Sequence, residues 1–235
     1  IDSTSSFLKE MAKNSTLKNY TVVVAKDQTK GRGQRESTWS SEPYKNLTFS
    51  VFISELDLQI INQKYFNFAI CLAVYDVISK YIDNHLFIKW PNDILSANQK
   101  ICGILIENSI SQGFIQKSIV GIGINVNQEE FRDDLNRVSS LTNVTGKAYN
   151  LDDLLIKVVN SIKIRVTQVL QKDYKNLEDE YLNVLYKKNT PSMFKTTKNV
   201  LFMGKIIGIS SSGNLQVELE DQTLTEFGIK EISFA

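Results

Sequence analysis

Lys100-Ile101-Cys102-Gly103-Ile104-Leu105-Ile106-Glu107 is an apolar run opened by a lysine and closed by a glutamate, and a second such run, Phe114 to Val126, follows it. Each is short and rich in β-branched residues, so both read as strands. Gly103 in the first, and Gly121 and Gly123 in the second, leave room for something to lie against a sheet. Just upstream, Leu86 to Trp90 is a third strand-like run, with Asp93 and Asn98-Gln99 read as turns. Ile61 to Ile82 carries Phe66, Ile70, Ala73, Val77 and Tyr81 at the spacing of one helix face. Earlier still, Leu47, Phe49, Val51 and Ile53 alternate with Thr48, Ser50 and Phe52, and Tyr20 to Lys26 is β-branched, so two more strands are expected. Phe7, Leu8 and Met11 form a short apolar stripe with Thr4 or Ser5 placed to cap it.

Downstream, Leu155, Val158, Ile162, Val166 and Val169 mark a second long helix over Leu151 to Leu170, with Asn150 as its cap. Leu177, Tyr181 and Leu185 mark a third. The character changes at Thr190-Pro191. Beyond it come only short strands, Val200 to Ile209, Leu215 to Glu220, Leu224 to Gly228 and Glu231 to Phe234, separated by polar turns. That pattern suits a small SH3-like β-barrel. The expected architecture is α+β: a mixed sheet with packed helices over residues 1–189, and a small C-terminal barrel over 190–235.

Lysine plus arginine number 27 and aspartate plus glutamate 26. So even a balance argues against a nucleic-acid or membrane-surface binder. Cys71 and Cys102 lie far apart in apolar runs and read as buried thiols of a reducing compartment, not as a disulfide. The single histidine, His85, stands at a helix-to-strand junction, which leaves little room for a Ser-His-Asp or Cys-His nucleophile system. No apolar run approaches the ~18 residues of a membrane span, and Ile1 to Met11 lacks the apolar core of a signal peptide. A cytoplasmic protein is expected.

Four segments carry chemistry. Gln28-Thr29-Lys30-Gly31-Arg32-Gly33-Gln34-Arg35 follows a strand and leads to Trp39. Glycines flanking an arginine let backbone N–H groups and a guanidinium face an anion, and the tryptophan offers a flat apolar wall. Taken alone, a solvent-exposed turn explains the loop as well. The loop is polar and has no periodic apolar stripe, so little core burial is expected to hold it still. In Lys89-Trp90-Pro91-Asn92-Asp93, the Asn-Asp pair can supply hard oxygen ligands to Mg²⁺ and a nucleotide phosphate; a plain Pro-Asn-Asp turn is the alternative. Lys100 opens an apolar strand, where its ammonium is costly unless it meets an anion. Gly121-Ile122-Gly123-Ile124-Asn125-Val126-Asn127 again clears space over a strand, and Asn125 offers both a donor and an acceptor. Neither a GxGxxG opening a helix nor a Walker A loop is present.

In this order, Asp2-Ser3-Thr4, Gly-Arg-Gly-Gln-Arg with Trp39, Lys-Trp-Pro-Asn-Asp, Lys-x-x-Gly-Ile-Leu-Ile-Glu and Gly-Ile-Gly-Ile-Asn-Val-Asn together resemble the biotin–protein ligase family. The likeness runs over essentially the whole chain, including Gly204, Gly208, Gly213 and Glu231-Ile232 of the tail. It implies a class II synthetase-like catalytic fold and an enzyme that activates biotin with ATP to biotinyl-AMP. The biotinyl group then passes to a lysine of a biotin carboxyl carrier protein or domain, as in acetyl-CoA carboxylase. The resemblance also implies roles. Ser3, Thr4, Gln28, Gly31 and Arg32 contact biotin over a floor of Gly103, Leu105, Gly121 and Gly123. Gly33, Gln34, Arg35, Trp39, Lys89, Asn92 and Asn125 bind ATP or the adenylate, and Asp93 sits by Mg²⁺. Lys100 stands at the reacting carboxylate and α-phosphate, with Arg32 and Arg35 acting beside it. No DNA or membrane partner is implied, and a homodimer is an allowed assembly.

Two departures stand out. Many members read Gly-Arg-Gly-Arg-Arg-Gly, whereas here Gln34 replaces the second arginine and Glu36 the last glycine. Regulatory members carry an N-terminal helix-turn-helix, while this chain opens at the ligase motif, so repression is not expected and a few residues are expected to precede Ile1. A lipoate–protein ligase usually shows Arg-Arg-x-Ser-Gly-Gly-Gly, which this sequence lacks. A non-catalytic biotin-binding regulator leaves Lys100 and Asp93 unexplained.

Overall fold

The computed structural model describes residues 1–34, 37–82, 85–132 and 137–235. Its centre is a seven-stranded sheet of β1 (Thr21–Ala25), β2 (Leu47–Ile53), β3 (Leu58–Gln59), β4 (Leu86–Lys89), β5 (Asp93–Ser96), β6 (Gln99–Ser111) and β7 (Phe114–Ile124). The strands run in the order β1-β2-β7-β6-β5-β4, with β3 on the far end of β7. Every named strand pair is antiparallel. The mixed character expected of the sheet is confined to isolated parallel bridges at its margin, Ile88 with Leu185 and Lys100 with Val138.

Strand alternation decides which face goes where. Leu47, Phe49, Val51 and Ile53 of β2 point into the main core with α2 (Gln63–Ile78) and α4 (Leu151–Leu170), whereas Phe52 packs with Ile119 against Leu8 of α1 (Thr4–Asn14). The sheet is therefore covered on both faces. In α4 the buried stripe is Leu154, Val158, Ile162, Val166 and Val169, one position off the expected Leu155 at its start. Asn150 caps it as expected, accepting the Asp153 N–H at 3.0 Å. The cap of α1 is Ser3, not Thr4 or Ser5: its Oγ accepts the Ser6 N–H, and both expected residues are already inside the helix.

Besides the two-residue β3, three further elements were not expected. β5 begins at Asp93, so this residue is the first of a strand and not part of a turn. α3 (Leu141–Thr145) is a five-residue helix capped by Ser140 and stopped by Gly146 at φ 70°. β8 (Pro191–Thr196) opens the tail. After α5 (Tyr174–Asn183), β8 joins β9 (Leu201–Ile209), β10 (Leu215–Leu219), β11 (Leu224–Phe227) and β12 (Ile232–Phe234) in an antiparallel sheet ordered β11-β10-β9-β8-β12. The small barrel expected here is an open five-stranded sheet in its pairing. Phe194, Ile206, Ile209, Leu215 and Val217 of this sheet belong to the same buried cluster as α2 and the large sheet. Among the described residues no helix is long and apolar enough to cross a membrane. Cys71 and Cys102 are buried and free, as expected.

Candidate active site

On its α1-facing side the large sheet lays down two rungs. In one, Ser50 of β2 pairs with Gly121 of β7, which pairs with Leu105 of β6. In the next, Thr48 pairs with Gly123, Gly123 with Gly103, and Gly103 with Asp93 of β5. Glycines two apart in one strand face the same side, so together these rungs form a smooth trough. It is the floor of a cavity of about 260 Å³.

One end of the trough is polar. Gln28 Oε1 accepts the Thr4 N–H at 2.7 Å and the Thr4 hydroxyl at 3.0 Å. Ser50 Oγ lies 2.8 Å from Thr4 Oγ1 and 2.9 Å from Ser5 Oγ. A Cβ at Gly121 would stand 2.5 Å from the Ser5 hydroxyl, so the missing side chain admits this cluster. Across the other rung lies the Trp39 indole, occupying the space a side chain at Gly123 would need and standing 3.1 Å from where one would begin at Gly103. Trp39 Nε1 is buried and has no hydrogen-bond partner.

The far end is cationic. Lys100 Nζ sits 2.6 Å from Asp93 Oδ1 and 5.8 Å from the Trp39 ring centre. The expectation that Lys100 must meet an anion is satisfied within the chain, by the residue that ends the glycine rung. Burial above all pushes the Lys89 ammonium below its usual range; Asp93 opposes this, while Lys100 and Arg137 add to it. Such a desolvated cation gains from an incoming anion. Asn92 is fixed by its side-chain amide donating to the Ile104 carbonyl. Among the described residues no three His, Cys, Asp or Glu side chains gather as a metal cage. A magnesium ion held mainly by phosphate oxygens needs only one or two protein ligands. Asp93 beside Asn92 fits an ion arriving on a triphosphate.

The glycine-arginine loop closes over this trough, tied at several of its described residues. Arg32 bridges Thr38, Gly33 N–H donates to Ser37 O at 2.7 Å, and Trp39 N–H to Gly31 O at 2.9 Å. Asp2 accepts from Thr29 Oγ1 at 2.7 Å and Lys30 Nζ at 3.0 Å, fastening the loop's start to the chain's. Arg32 spends its guanidinium on Glu107, at 2.8 and 3.1 Å, so its side chain holds the loop to β6.

Of the sequence-expected residues, Ser3, Thr4, Gln28, Arg32, Gly33, Gln34, Trp39, Lys89, Asn92, Asp93, Lys100, Gly103, Leu105, Gly121 and Gly123 all line the cavity. Arg35 lies outside the described residues. Gly31 and Asn125 do not line it. Gly31 is buried where a side chain would strike the Trp39 carbonyl, and Asn125 donates to the Ser139 carbonyl at 3.0 Å. His85 is exposed and stands elsewhere. Sequence reading missed Ser5 and Thr48, and missed the tail wholly: Ile229, Lys230, Ile232, Ser233 and Phe234 form part of the cavity wall. No local signal marks these residues, because only tertiary packing brings them here.

Comparison with known proteins finds relatives of the whole chain. The bifunctional ligase/repressor BirA of Bacillus spizizenii is 29% identical over 235 residues, covering 99% of this chain and 70% of that protein. A biotin--[acetyl-CoA-carboxylase] ligase of Mycobacterium tuberculosis is 28% identical over 152 residues, covering 63% of this chain and 54% of that one. The biotin protein ligase of Aquifex aeolicus, solved with biotin and ATP, superposes with a TM-score of 0.81 at 28% identity, covering 100% of this chain and 95% of that chain. The family model for biotin/lipoate A/B protein ligases matches residues 1–125, which hold α1, the glycine-arginine loop, both glycine rungs and the Lys100–Asp93 pair, and the chain belongs to that family.

Proposed function

We propose that this chain is a biotin–protein ligase, which joins biotin and ATP into biotinyl-AMP and passes the biotinyl group to a lysine of a biotin carboxyl carrier protein or domain. One observation carries the reading: a glycine-floored trough, part of it covered by the Trp39 indole, runs from a hydroxyl-and-amide cluster to the Lys100–Asp93 pair. Biotin's polar ureido ring suits the cluster of Thr4, Gln28 and Ser50, with Ser3 at its edge, and its apolar arm suits the space beside Leu105 along the Trp39 indole that covers the glycines. Its carboxylate then reaches Lys100.

There the carboxylate oxygen attacks the α-phosphorus of ATP, and the bond to the pyrophosphate oxygen breaks. The carrier amine next attacks the carbonyl carbon of the mixed anhydride, releasing AMP. Both steps shift negative charge, so preorganised cations and backbone donors do the work and no side-chain nucleophile is needed. Lys100 faces the developing charge; Lys89, Gly33, Gln34 and Asn92 lie along the phosphates, and Trp39 covers the adenylate. Asp93, with Asn92 beside it, would hold a magnesium ion bound with the triphosphate, and that ion would supply neutralising charge for the phosphates. A cytoplasmic setting belongs to the same reading, supported by the two free, buried thiols.

The test is to incubate the protein with ATP, biotin, excess lipoate and an unmodified biotin carrier domain, and to weigh the carrier. A gain of one biotinyl group is expected. Lipoyl attachment, or biotin binding without transfer, would overturn the proposal.

A further inference from the structure

The geometry points to Lys230 as a positioning residue of this reaction: from the C-terminal sheet it clamps the glycine-arginine loop over the cavity by gripping Ser37. The inference rests on the ligase reading for its catalytic consequence, though not for the clamp itself.

Lys230 Nζ donates to Ser37 Oγ at 3.0 Å across 193 residues of sequence. Ser37 is the residue on which the loop closes. Its carbonyl accepts the Gly33 N–H at 2.7 Å, and its own N–H reaches Gln34 O at 3.1 Å. A Cβ on Gly33 would lie 3.1 Å from Ser37 Cβ, so the two strands of the loop are packed together. Thr38 and Trp39 follow directly, tied to Arg32 and Gly31. Displacing Ser37 therefore displaces Gly33, Gln34 and the indole over the floor.

The lysine itself is held in place. Lys230 has φ 66°, in a turn where Glu231 N–H donates to Gly228 O at 3.1 Å and Glu231 Oε2 accepts the Gly228 N–H at 2.7 Å. Ile229 and Ile232 on either side are in the cavity wall. Besides the Asp2 contacts at its start, the loop is gripped at Arg32 by Glu107 of the large sheet and at Ser37 by Lys230 of the small one. These two grips differ in kind. The first is a bidentate ion pair and is the stronger; the second pairs an ammonium with a neutral hydroxyl and is the weaker.

The test uses Lys230→Met, Ser37→Ala, the double variant and Lys230→Arg. Amide exchange at Gly33 and Trp39 is measured in the ligand-free proteins, and escape of labelled biotinyl-adenylate is measured with ATP and biotin. Each single variant should speed both by about three- to tenfold, the equivalent of one ordinary hydrogen bond. The double variant should go no further than either single, and Lys230→Arg, which keeps a cationic donor, should stay close to the wild-type rates. The clamp is overturned if the two single effects add, or if Lys230→Met raises the KM for ATP while exchange stays at the wild-type rate, which would make Lys230 a phosphate contact. A wild type that forms no adenylate sinks the ligase reading, while the exchange measurements still decide the clamp.

Discussion

Gly123 lacks a side chain because Trp39 stands where one would be, and Gly103 lies opposite it in the next strand. Gly123→Ala should drive the indole off the floor. Overpacking of this kind costs about 1–3 kcal/mol, so biotin affinity should fall roughly ten- to hundredfold; calorimetric titration giving the wild-type affinity would refute it. Lys100 is the second residue on which the site turns. Lys100→Ala leaves Asp93 unpaired at the reacting end and should slow adenylate formation on the order of 10²-fold, as when one preorganised donor is lost. Pyrophosphate release near the wild-type rate, in a folded sample, would remove Lys100 from its role. Both residues were visible in the sequence, one as a missing side chain and one as a cation in an apolar strand. The partner of Lys100 was not. A register shift at Ile94/Leu95 in the pairing of β5 with β6, and the turn-like look of Pro91-Asn92-Asp93, hid Asp93 as strand and as counter-ion.

Elements here are joined by a few charged clasps across their exposed edges. Arg165 of α4 donates to both Asp76 carboxylate oxygens, at 2.8 and 3.0 Å, on α2, and to Glu180 on α5 at 2.7 Å. Its side chain is 11% exposed, whereas the two acids are 33% and 44% exposed and so partly screened. Arg165→Met should lower unfolding free energy by about 1–3 kcal/mol, less than for a wholly buried network; an unchanged urea midpoint would count against this clasp. The Glu107 clasp joins α1, the loop and β6 through Lys9 and Arg32. Burial alone would raise the Glu107 carboxyl, but the Arg32 and Lys9 contacts outweigh it and hold the group below its ordinary 4.5. Its contribution is therefore full above that pH and is lost as pH falls through the lower folded value. The stability difference between wild type and Glu107→Gln should be constant near neutrality and shrink as the pH falls below the ordinary 4.5; a gap that widens on acidification would reverse the assignment. Long elements such as α2 and α4 were legible from spacing, because many apolar positions repeat the same period. Short ones were not. The four residues of β5 carry no more than two periods of a strand and the five of α3 less than two turns, although Ser140 and Gly146 bracket α3 with the usual start and stop residues.

At the scale of the molecule, the strands of the large sheet end at Ile124 and those of the small one begin at Pro191, yet the two sheets share one buried cluster. Trp90 Nε1 also donates to Gly213 O at 3.2 Å, and Asn189 N–H to Ile206 O at 2.8 Å, fastening the small sheet to the large. We propose that the two sheets unfold together, and expect a single calorimetric transition whose van't Hoff and measured enthalpies agree. Two separable transitions would show that the shared core does not couple them. Sequence reading found the break in character at Thr190-Pro191 but could not foresee that the tail completes the cavity, since nothing in Ile229 to Phe234 differs from an ordinary edge of a small sheet. Trp39 and Trp90 are the chain's two tryptophans, and both stand in the wall of that cavity. Light absorbed at the long-wavelength edge of the protein's ultraviolet band is consequently emitted from the site and from nowhere else in the chain. The molecule carries its own optical gauge of occupancy: a ligand that lifts or covers either ring changes the colour and yield of its glow, with no label added.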